Sequence, residues 1–492
     1  MSWKAALALP YARMVTRAVH RRAMDPVGTQ RAVLTQLIGF GARSAFGREH
    51  QLHQVRDHKG LTEAVPLRDY EGFRPYIDRI IAGERDVLWP GLPLYLCKTS
   101  GTTSGAKYIP ITRNSLPNHI TSARRALLAY IARSGNTRFV DGKMIFLQGS
   151  PVLDKKGAVP TGRLSGIVAN HVPAYLLKNR MPSFTTNTIP DWETKVEAIV
   201  NETMKEDMRL ISGIPAWTQM YFERLLARTG RSAVKEVFPD FSLFVYGGVN
   251  YAPYRSRMER LIGGHVDSVE LFPASEGFIA YQDQGTDEGL LLVLDNGIYY
   301  GFLPIGAGAG ARPLSIAEVE LNVQYALVLY TNAGLWGYEI GDTVRFVSLS
   351  PPRIVVTGRT KQFTSAFGEH VIAEEVEGAL KEAMRSVPCE VSEFTVAPQP
   401  SPTEGLPYHE WLIEFAAEPA SMEAFAAAID SALQQRNPYY RDLIVGKVLR
   451  RLVITPVPRG RFAAWMRERG MNDAQSKVPR LANDRRYADG LV

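Results

Sequence analysis

Residues 98–110 read KTSGTTSGAKYIP, and the interpretation of the whole chain starts from this stretch. It holds a run of hydroxyl side chains, two glycines and Lys107, and apolar residues precede and follow it. Glycine lets a backbone approach a ligand closely, and free N–H groups and hydroxyls in such a turn bind anionic oxygens. The pattern predicts two strands joined by a turn that holds a polyphosphate.

The spacing disfavours the best-known phosphate loop. A Walker loop reads G-x-x-x-x-G-K-[ST] and opens a helix. Here the glycines are only four positions apart, Lys107 comes one residue later than that pattern requires, and Tyr108 follows it. The sequence therefore disfavours a kinase-type or motor-type NTPase. A plain Ser/Thr/Gly linker is the alternative, although linkers rarely end in a lysine followed by an apolar strand.

Composition places the chain among ordinary globular proteins. It has 492 residues, 45% of them hydrophobic and 22% charged, which is enough for about two to four domains. The two cysteines, Cys97 and Cys389, form no C-x-x-C pair, so structural zinc is not expected and a reducing, cytoplasmic location fits. The net charge of +7 suits small anionic ligands as well as nucleic acid, and without an aromatic-basic repeat we expect no nucleic-acid partner.

No apolar run is long enough to predict a membrane span. The first 24 residues, MSWKAALALPYARMVTRAVHRRAM, are basic and amphipathic, but their apolar part is short for a signal peptide. A membrane-surface or transit role is one interpretation of this segment. A helix packed on its own domain is the interpretation that we favour.

The first half of the chain has the pattern of an α/β domain. Helices are predicted over residues 1–60, 113–134 and 191–230, the last with a break at Ile214-Pro215. Another helix is predicted before the hairpin, because one helix face is formed by Tyr70, Phe73, Tyr76, Ile77, Ile80 and Ile81 and is closed by Gly83. Strands are predicted at 143–148 and 241–246. The second of these strands runs into Gly247-Gly248-Val249 and then into a helix, which is where ligands approach an open α/β sheet. A plain tight turn explains these glycines equally well.

Two carboxylates follow strand patterns later in the sequence. Glu276 comes after the strand SVELF (268–272), and Asp342 is expected in a turn between two strands. Each alone is typical of an ordinary turn. Beside a polyphosphate, Glu276 becomes a candidate magnesium ligand, because Mg²⁺ takes one or two carboxylates plus phosphate oxygens. Asp342 can accept two hydrogen bonds from a ribose diol.

The composition shifts near residues 358–362, where Thr357-Gly358-Arg359 ends a strand. Before this point, 289–333 is rich in strands. After it, strands at 390–397, 408–416 and 446–454 and a helix at 419–435 predict a compact α+β unit. We therefore expect a large domain over 1–357 and a small one over 358–492. Lys477 lies near the polar end of the chain, where a frayed terminus is the alternative.

Taken in order, these motifs resemble the adenylate-forming superfamily of acyl-CoA synthetases, adenylation domains and luciferases. The closer resemblance is to the Gretchen Hagen family of acyl acid amido synthetases, the auxin-responsive family, as a bacterial-type member. Four stretches carry it: DYEGFRPYIDRIIAGERDVLWPG (69–91), SGIPAWTQ (212–219), LFVYGGVNYAPYR (243–255), and NPYYRDLI (437–444) together with SKVPR (476–480). The resemblance implies a large α/β domain with a β-rich subdomain and a small, mobile C-terminal α+β domain that turns about a hinge near 358–362.

The resemblance also implies roles for individual residues. Lys477, reaching the α-phosphate and the acyl carboxylate, and Lys107 would be the catalytic lysines, and Glu276 would bind Mg²⁺. Phe272, which stands where the family usually has tyrosine, would stack on the adenine. The residues implied to bind ATP and AMP are Ser100, Gly101, Thr102, Thr103, Ser104, Gly105, Gly247, Gly248, Val249, Phe272, Ser275, Asp342 and Arg359.

These roles imply an enzyme that uses ATP and Mg²⁺ to activate a carboxylic acid as its acyl-adenylate. It would then transfer the acyl group to an amine, expected to be an amino acid, and release AMP. An acyl-CoA ligase with the same first step is the alternative, and composition does not separate the two. A nucleotide-binding regulatory protein with a degenerate site is disfavoured by the joint presence of Lys107, Glu276, Asp342 and Lys477.

Overall fold

The computed structural model describes residues 3–102, 105–172, 177–248, 251–286, 288–308, 310–360, 363–369, 371–468 and 479–492. Its helices are α1 Trp3–Ala23, α2 Pro26–Gly41, α3 Ala45–Glu49, α4 His58–Ala64, α5 Tyr70–Ile81, α6 Leu116–Ser134, α7 Leu164–Ala169, α8 Phe184–Asn187, α9 Trp192–Thr203, α10 Pro215–Thr229, α11 Val234–Val237, α12 Ala252–Ile262, α13 Ala373–Ser386, α14 Met422–Arg436, α15 Pro438–Val445 and α16 Arg461–Glu468.

The strands contribute to four sheets within the described residues. They are β1 Tyr95–Thr102, β2 Gly105–Ile111, β3 Lys143–Leu147, β4 Asp154–Lys156, β5 Val159–Gly162, β6 Arg180–Met181, β7 Met208–Gly213, β8 Leu243–Gly247, β9 Asp267–Ala274, β10 Gly277–Tyr281, β11 Leu290–Leu292, β12 Ile298–Pro304, β13 Gln324–Thr331, β14 Tyr338–Leu349, β15 Pro352–Arg359, β16 Phe363–Thr364, β17 Val371–Ile372, β18 Glu390–Gln399, β19 Tyr408–Ala417 and β20 Val453–Val457.

The main sheet has eleven strands in the order β12-β13-β14-β15-β11-β10-β9-β8-β7-β3-β6. From β9 to β6 all neighbours are parallel, and from β12 to β9 all are antiparallel. The mixed sheet therefore has an α/β half and a β-rich half, which confirms the predicted fold class. The carboxyl ends of the parallel strands meet at one edge, the usual position of a ligand site in such sheets.

In the parallel half, neither the short β6 nor the central β7 was predicted, and β7 contradicts the expectation. Residues 208–213 were expected to be helical, but they form β7, whose Leu210 and Ile211 are buried between β3 and β8. A short apolar run has no periodicity that separates a buried strand from a helix. Pro215 does not break a helix: it begins α10, where its missing N–H costs nothing.

The polyphosphate stretch belongs to a smaller sheet of order β2-β1-β5-β4. The hairpin of β1 and β2 confirms the two predicted strands, and Leu96, Cys97, Ile109 and Ile111 anchor it in the core; the residues between the strands, 103 and 104, lie outside the described residues. Its pairing is irregular between Thr99 and Thr102. The apolar face of α5 packs into the same core and confirms the helix predicted before the hairpin.

The last part of the chain forms a three-stranded sheet of order β18-β19-β20, with α13 and α14 packed together. The buried imidazole of His409 lies 2.8 Å from the buried carboxylate of Glu369. The strand expected at 446–454 begins only at Val453. The residues just before the expected range, 438–445, form α15. The side chain of Asn437 caps this helix by accepting a hydrogen bond from the N–H of Tyr440. The division at residue 358 stays a prediction.

Across the described residues, no helix combines the length and apolarity that a membrane crossing requires. The predicted cytoplasmic location and the predicted lack of a nucleic-acid partner stay predictions.

The end of α2 offers a test of how tightly the first core is packed. By the first core we mean the buried cluster that contains Trp336 and the apolar face of α5. A Cβ on Gly41 would lie 2.2 Å from Cζ2 of the buried Trp336 ring, whereas one on Gly39 meets nothing within 4 Å. We expect Gly41→Ala to lower the free energy of unfolding by about 1–3 kcal/mol through overpacking. Gly39→Ala, the matched control, should raise it by up to about 1 kcal/mol, because alanine favours the helix. Denaturant unfolding measures both, and equal stabilities would contradict the close packing.

Candidate active site

A cleft of about 350 Å³ opens at the carboxyl ends of the parallel strands. Ends of β3, β7 and β8 form one wall, β9 forms another, and Lys98 and Thr99 of β1 reach the same space. The C-terminal part of the chain covers it with Gly368, Tyr439 and Leu443. Much of the lining is apolar or aromatic: Phe146, Leu147, Leu164, Ile214, Trp217, Val245, Tyr246, Leu271 and Leu443. The cleft thus combines an apolar interior with polar groups at one side, as small-molecule sites do.

Gly247 ends β8 at the rim of this cleft, and Gly248 follows it. A Cβ on Gly247 would lie 2.4 Å from the carbonyl oxygen of Leu271 on β9, so a larger residue would push the strands apart. Gly248 has a φ of +80° and open space around it, a conformation that L side chains rarely adopt. Val249 lies outside the described residues. Backbone is therefore exposed at the point where a flat ring can approach.

The hairpin of β1 and β2 brings the predicted phosphate-binding stretch to the same edge. Ser100, Gly101 and Thr102 belong to β1, and Gly105 begins β2 opposite Thr102. Thr103 and Ser104 lie outside the described residues. Lys107 pairs with Thr99 across the hairpin, and its Nζ lies 5.9 Å from the centre of the Tyr70 ring. The hydroxyl of Tyr70 accepts a hydrogen bond from the N–H of Tyr108, which ties α5 to the hairpin.

Four charged side chains, Lys107, Glu276, Asp342 and Arg359, form what we call the charge cluster. Each of them interacts electrostatically with Lys107 or with Glu276. Burial lowers the pKa of Lys107 and raises that of Glu276, while each partly offsets the shift of the other. Glu276 is only 8% exposed. A buried carboxylate without compensation would be costly, so the cluster keeps both charges in place beside the predicted phosphate-binding stretch.

Glu276 owes its position to a tight connection between two strands. Gly277 pairs with Ala274, so Ser275 and Glu276 form the two-residue turn between β9 and β10. Cys97 of β1 lies beneath this turn, and its thiol donates a hydrogen bond to Ser275 Oγ at 3.2 Å. Burial raises the pKa of Cys97 to about 12, so this thiol stays protonated. The contact links the β9–β10 turn to the phosphate-binding hairpin.

Asp342 is not in a turn, contrary to the sequence prediction. It lies within β14, next to Gly341 with its φ of +90°, and pairs directly with Arg359 of β15. The Asp342 carboxylate accepts a hydrogen bond from Arg359 Nε at 2.5 Å. A glycine in the left-handed conformation distorts the strand here, which is why Gly341-Asp342 resembled a turn. The two residues predicted to bind ribose are thus neighbours across one strand pair.

Phe272 packs against the first core, whereas its neighbours Leu271 and Pro273 line the cleft. Successive side chains of a strand point to opposite faces. The role of Phe272 in stacking on adenine stays a prediction. Lys477 lies outside the described residues.

Tyr439 and Arg163, which sequence reasoning did not select, join the C-terminal part to the rim of the cleft. The hydroxyl of Tyr439 donates a hydrogen bond to the carbonyl oxygen of Lys98 at 2.6 Å. The Arg163 guanidinium lies 4.3 Å from the centre of the Tyr439 ring and donates to Asp442 at 2.8 Å. The motif NPYYRDLI was noted only as a family feature, and contacts between residues hundreds of positions apart leave no local pattern.

His171 and His265 would be candidates for a general base by residue type, but local contacts account for both. His171 Nε2 lies 2.9 Å from the hydroxyl of Tyr95, and the exposed His265 lies 3.0 Å from Asp267. Neither residue belongs to the cleft lining or to the charge cluster. A general base in the described part of the chain is therefore not identified by its position.

The donor set suits magnesium only together with a substrate. Among the described residues no group of three or more histidine, cysteine or acidic side chains could hold a metal by itself. Glu276 supplies one buried carboxylate, and Asp342 is engaged by Arg359. Mg²⁺ commonly takes one or two carboxylates and completes its shell with phosphate oxygens and water. Glu276 therefore fits as the protein ligand of a magnesium ion that arrives with a polyphosphate.

Comparison with known proteins places the chain in one family along most of its length. Three family models match successive parts: the GH3 family N-terminal domain at residues 16–188, the GH3 family central domain at 291–359, and the GH3 family C-terminal domain at 374–486. Together they cover well over half of the 492 residues.

Curated relatives agree with these models. Indole-3-acetic acid-amido synthetase GH3.4 from Arabidopsis thaliana is 21% identical over 93% of this chain and 90% of that protein. Jasmonoyl--L-amino acid synthetase GH3.5 from Oryza sativa subsp. japonica is 20% identical over 83% of this chain and 84% of that protein. A third match, the probable indole-3-acetic acid-amido synthetase GH3.1 from Arabidopsis thaliana, is 25% identical but spans 47% of this chain and 41% of that protein. These are plant proteins, and the expectation of a bacterial-type member stays a prediction.

Solved structures show the same fold. The AtGH3.15 acyl acid amido synthetase in complex with 2,4-DB superposes with a TM-score of 0.62 at 16% identity, covering 99% of this chain and 95% of that one. A 2-hydroxyisobutyryl-CoA ligase superposes with a TM-score of 0.57 at 14% identity, covering 92% of this chain and 89% of that one. From its successive family matches and its fold, the chain belongs to the GH3, or Gretchen Hagen, family of acyl acid amido synthetases and is an adenylate-forming ligase.

Proposed function

We propose that this protein activates a carboxylic acid with ATP as its acyl-adenylate and then transfers the acyl group to the amino group of an amino acid. The observation that carries the proposal is the convergence of the charge cluster, the β1–β2 hairpin and the Gly247-Gly248 turn at one edge of the sheet. Polyphosphate, adenine and acid each have chemically suitable surroundings there.

In the first half-reaction the carboxylate oxygen attacks the α-phosphorus of ATP, the bond to the β-phosphate breaks, and pyrophosphate leaves. No side-chain nucleophile is needed, because the substrate supplies the nucleophile. The protein's part is to hold the groups in line and to balance the charge. Residues 100–105 and Lys107 would hold the phosphates, Glu276 would hold the Mg²⁺ that arrives with them, and Asp342 and Arg359 would bind the ribose.

In the second half-reaction the amine attacks the acyl carbonyl, an amide forms, and AMP leaves. We propose that the C-terminal unit turns about residues 358–362 between the two steps and that Lys477 acts in the first. Tyr439 and Arg163 support this proposal, because they hold the unit against the cleft by a few polar contacts at its rim. These polar contacts are weak enough to be exchanged during a domain rotation, whereas the apolar packing that Tyr254 and Phe367 share would have to be rearranged.

The acid is proposed to be a predominantly apolar one, aromatic or aliphatic. Phe146, Trp217 and Leu271 are among the apolar residues that face the cleft, and each methylene of a bound acyl chain that leaves water contributes about 0.8 kcal/mol. The names of the relatives agree, since indole-3-acetic acid and jasmonic acid are both small and largely apolar.

The direct test supplies ATP, Mg²⁺ and a panel of apolar carboxylic acids, with amino acids or CoA as the second substrate. Pyrophosphate release that depends on the acid, and AMP and amide that appear only with an amino acid, would support the proposal. AMP formed with CoA and not with amino acids would replace it by an acyl-CoA ligase.

Glu276→Gln should lower acid-dependent ATP–pyrophosphate exchange by about 100-fold or more, because the magnesium ligand and the counter-charge of Lys107 are lost. The amide has the shape of the carboxyl group, and burial raises the pKa of Glu276, the direction that favours a neutral side chain at this position. Glu259→Gln, on the exposed side of α12, is the control and should keep wild-type exchange. Full exchange by Glu276→Gln would rule out its proposed role.

Tyr439→Phe removes the hydrogen bond to Lys98 and leaves the ring in place. We expect amide formation to fall by about 3- to 10-fold, the worth of one such bond, while ATP–pyrophosphate exchange stays within about twofold. The control is Tyr440→Phe, because its hydroxyl donates to Asp430 inside the C-terminal unit. That variant should lower stability and leave the ratio of the two rates unchanged. Equal losses in both steps for Tyr439→Phe would contradict a role in transfer.

A further inference from the structure

The first helix packs on the protein body through small side chains. Ala5, Ala12, Val19 and Ala23 are the buried apolar residues of α1, and three of them belong to the core cluster that contains Ala126 and Ala129 of α6. The packing confirms the favoured interpretation of this segment as a helix on its own domain. It also fixes which face of α1 points outward.

Three large apolar residues of α1 lie on its outward face, whereas Leu9 and Val15 pack against the core. Leu7 is 59% exposed, Tyr11 44% and Met14 61%. Their spacing of four and three residues places them on one stripe along the helix. A helix of a globular protein normally turns such a stripe toward the core and presents small and polar residues to water. Here a second apolar stripe faces outward in addition to the one that packs on the core, so burial in the protein's own core does not account for it.

Basic residues flank and extend this stripe. Arg13, Arg17 and Arg21 are exposed, and the salt bridges found among the described residues involve none of them. The sequence of α1 contains no acidic residue at all. Two other side chains of the helix hold it to the body instead: Arg22 pairs with Asp295, and His20 contacts Asp283. Salt bridges within the described part of the protein therefore do not explain why these three arginines are present.

We propose that the outward face of α1, defined by Leu7, Tyr11, Met14, Arg17 and Arg21, binds the surface of an anionic membrane. An exposed apolar stripe bordered by arginines, without an acidic residue, is the pattern of a helix that lies in the interface with its apolar side among the acyl chains and its cations among the headgroups. The helix is not apolar enough to cross a bilayer, and anionic headgroups attract each nearby arginine.

The surface is separate from the catalytic apparatus. No residue of α1 lines the cleft, and none belongs to the charge cluster. Membrane binding would place an enzyme for apolar acids where such acids partition, but it does not depend on the reaction proposed above. The two proposals can therefore fail independently.

The test is co-sedimentation of the full chain with vesicles of phosphatidylcholine alone or with about one third phosphatidylglycerol. We expect binding to the anionic vesicles only, and release at high salt. The double variants Leu7→Gln/Met14→Gln and Arg17→Gln/Arg21→Gln should each bind at least about tenfold less. A control, Phe184→Gln/Arg385→Gln, removes an exposed apolar and an exposed basic residue elsewhere on the surface and should bind as the wild type does.

Unfolding curves and ATP–pyrophosphate exchange without lipid check that the variants remain folded. Since α1 contacts the body through other residues, both should match the wild type. The proposal is overturned if the wild type binds neither kind of vesicle, if it binds both equally, or if the α1 variants bind undiminished. It is also overturned if Leu7→Gln/Met14→Gln converts a dimer into a monomer in gel filtration, because the stripe would then be an interface between two copies.

Discussion

The arrangement of the candidate site depends on keeping a carboxylate charged in a nearly buried position. Glu276 and Lys107 are both shielded from water, and either charge alone would carry a large desolvation cost. Glu276 sits at the turn between β9 and β10, and Lys107 sits on the β1–β2 hairpin. Because each charge lowers the cost of burying the other, the pair favours the meeting of the two sheets at this edge. Packing of Cys97 under Ser275 and of Tyr70 on Tyr108 reinforces the same junction.

This constraint has a consequence for the chemistry. A lysine and a carboxylate that neutralise each other within the protein leave little net charge when no substrate is bound. A polyphosphate that arrives with a magnesium ion brings charges of both signs, so it can replace this electrostatic interaction by equivalent ones without a large penalty. The paired Asp342 and Arg359 offer a similar exchange to a ribose diol. The site is in this sense preorganised while remaining stable without its substrates.

The junction with the C-terminal unit is built differently. At the rim of the cleft it relies on a hydrogen bond from Tyr439 to a backbone carbonyl and on the partly exposed pair of Arg163 and Asp442. Tyr254 adds a hydrogen bond to the carbonyl oxygen of Ala366. Such contacts contribute on the order of 1 kcal/mol each. Beneath these polar contacts, buried apolar residues of both parts, among them Tyr254 and Phe367, belong to one core cluster, so the boundary combines exchangeable polar contacts with apolar packing.

Local sequence patterns determined much of this protein. The hydroxyl- and glycine-rich stretch at 98–110 predicted its hairpin, and the spacing of Phe73, Ile77 and Ile80 predicted α5, because each signal lies within one element and repeats with that element's period. The same local signals misplaced β7 and Asp342. A short apolar run does not reveal whether neighbouring strands flank it, and a glycine followed by aspartate resembles a turn when a strand is merely distorted.

What only the tertiary structure decided are relations between distant parts of the chain. Four charges from the β1–β2 hairpin, the β9–β10 turn and the pair β14–β15 form one cluster, and Tyr439 meets Lys98 across 341 positions. The outward orientation of Leu7, Tyr11 and Met14 was equally undetermined, since the sequence of α1 is amphipathic whichever face packs. These outcomes depend on which surfaces the complete fold buries together. That is a global balance of burial and charge, and no local pattern encodes it.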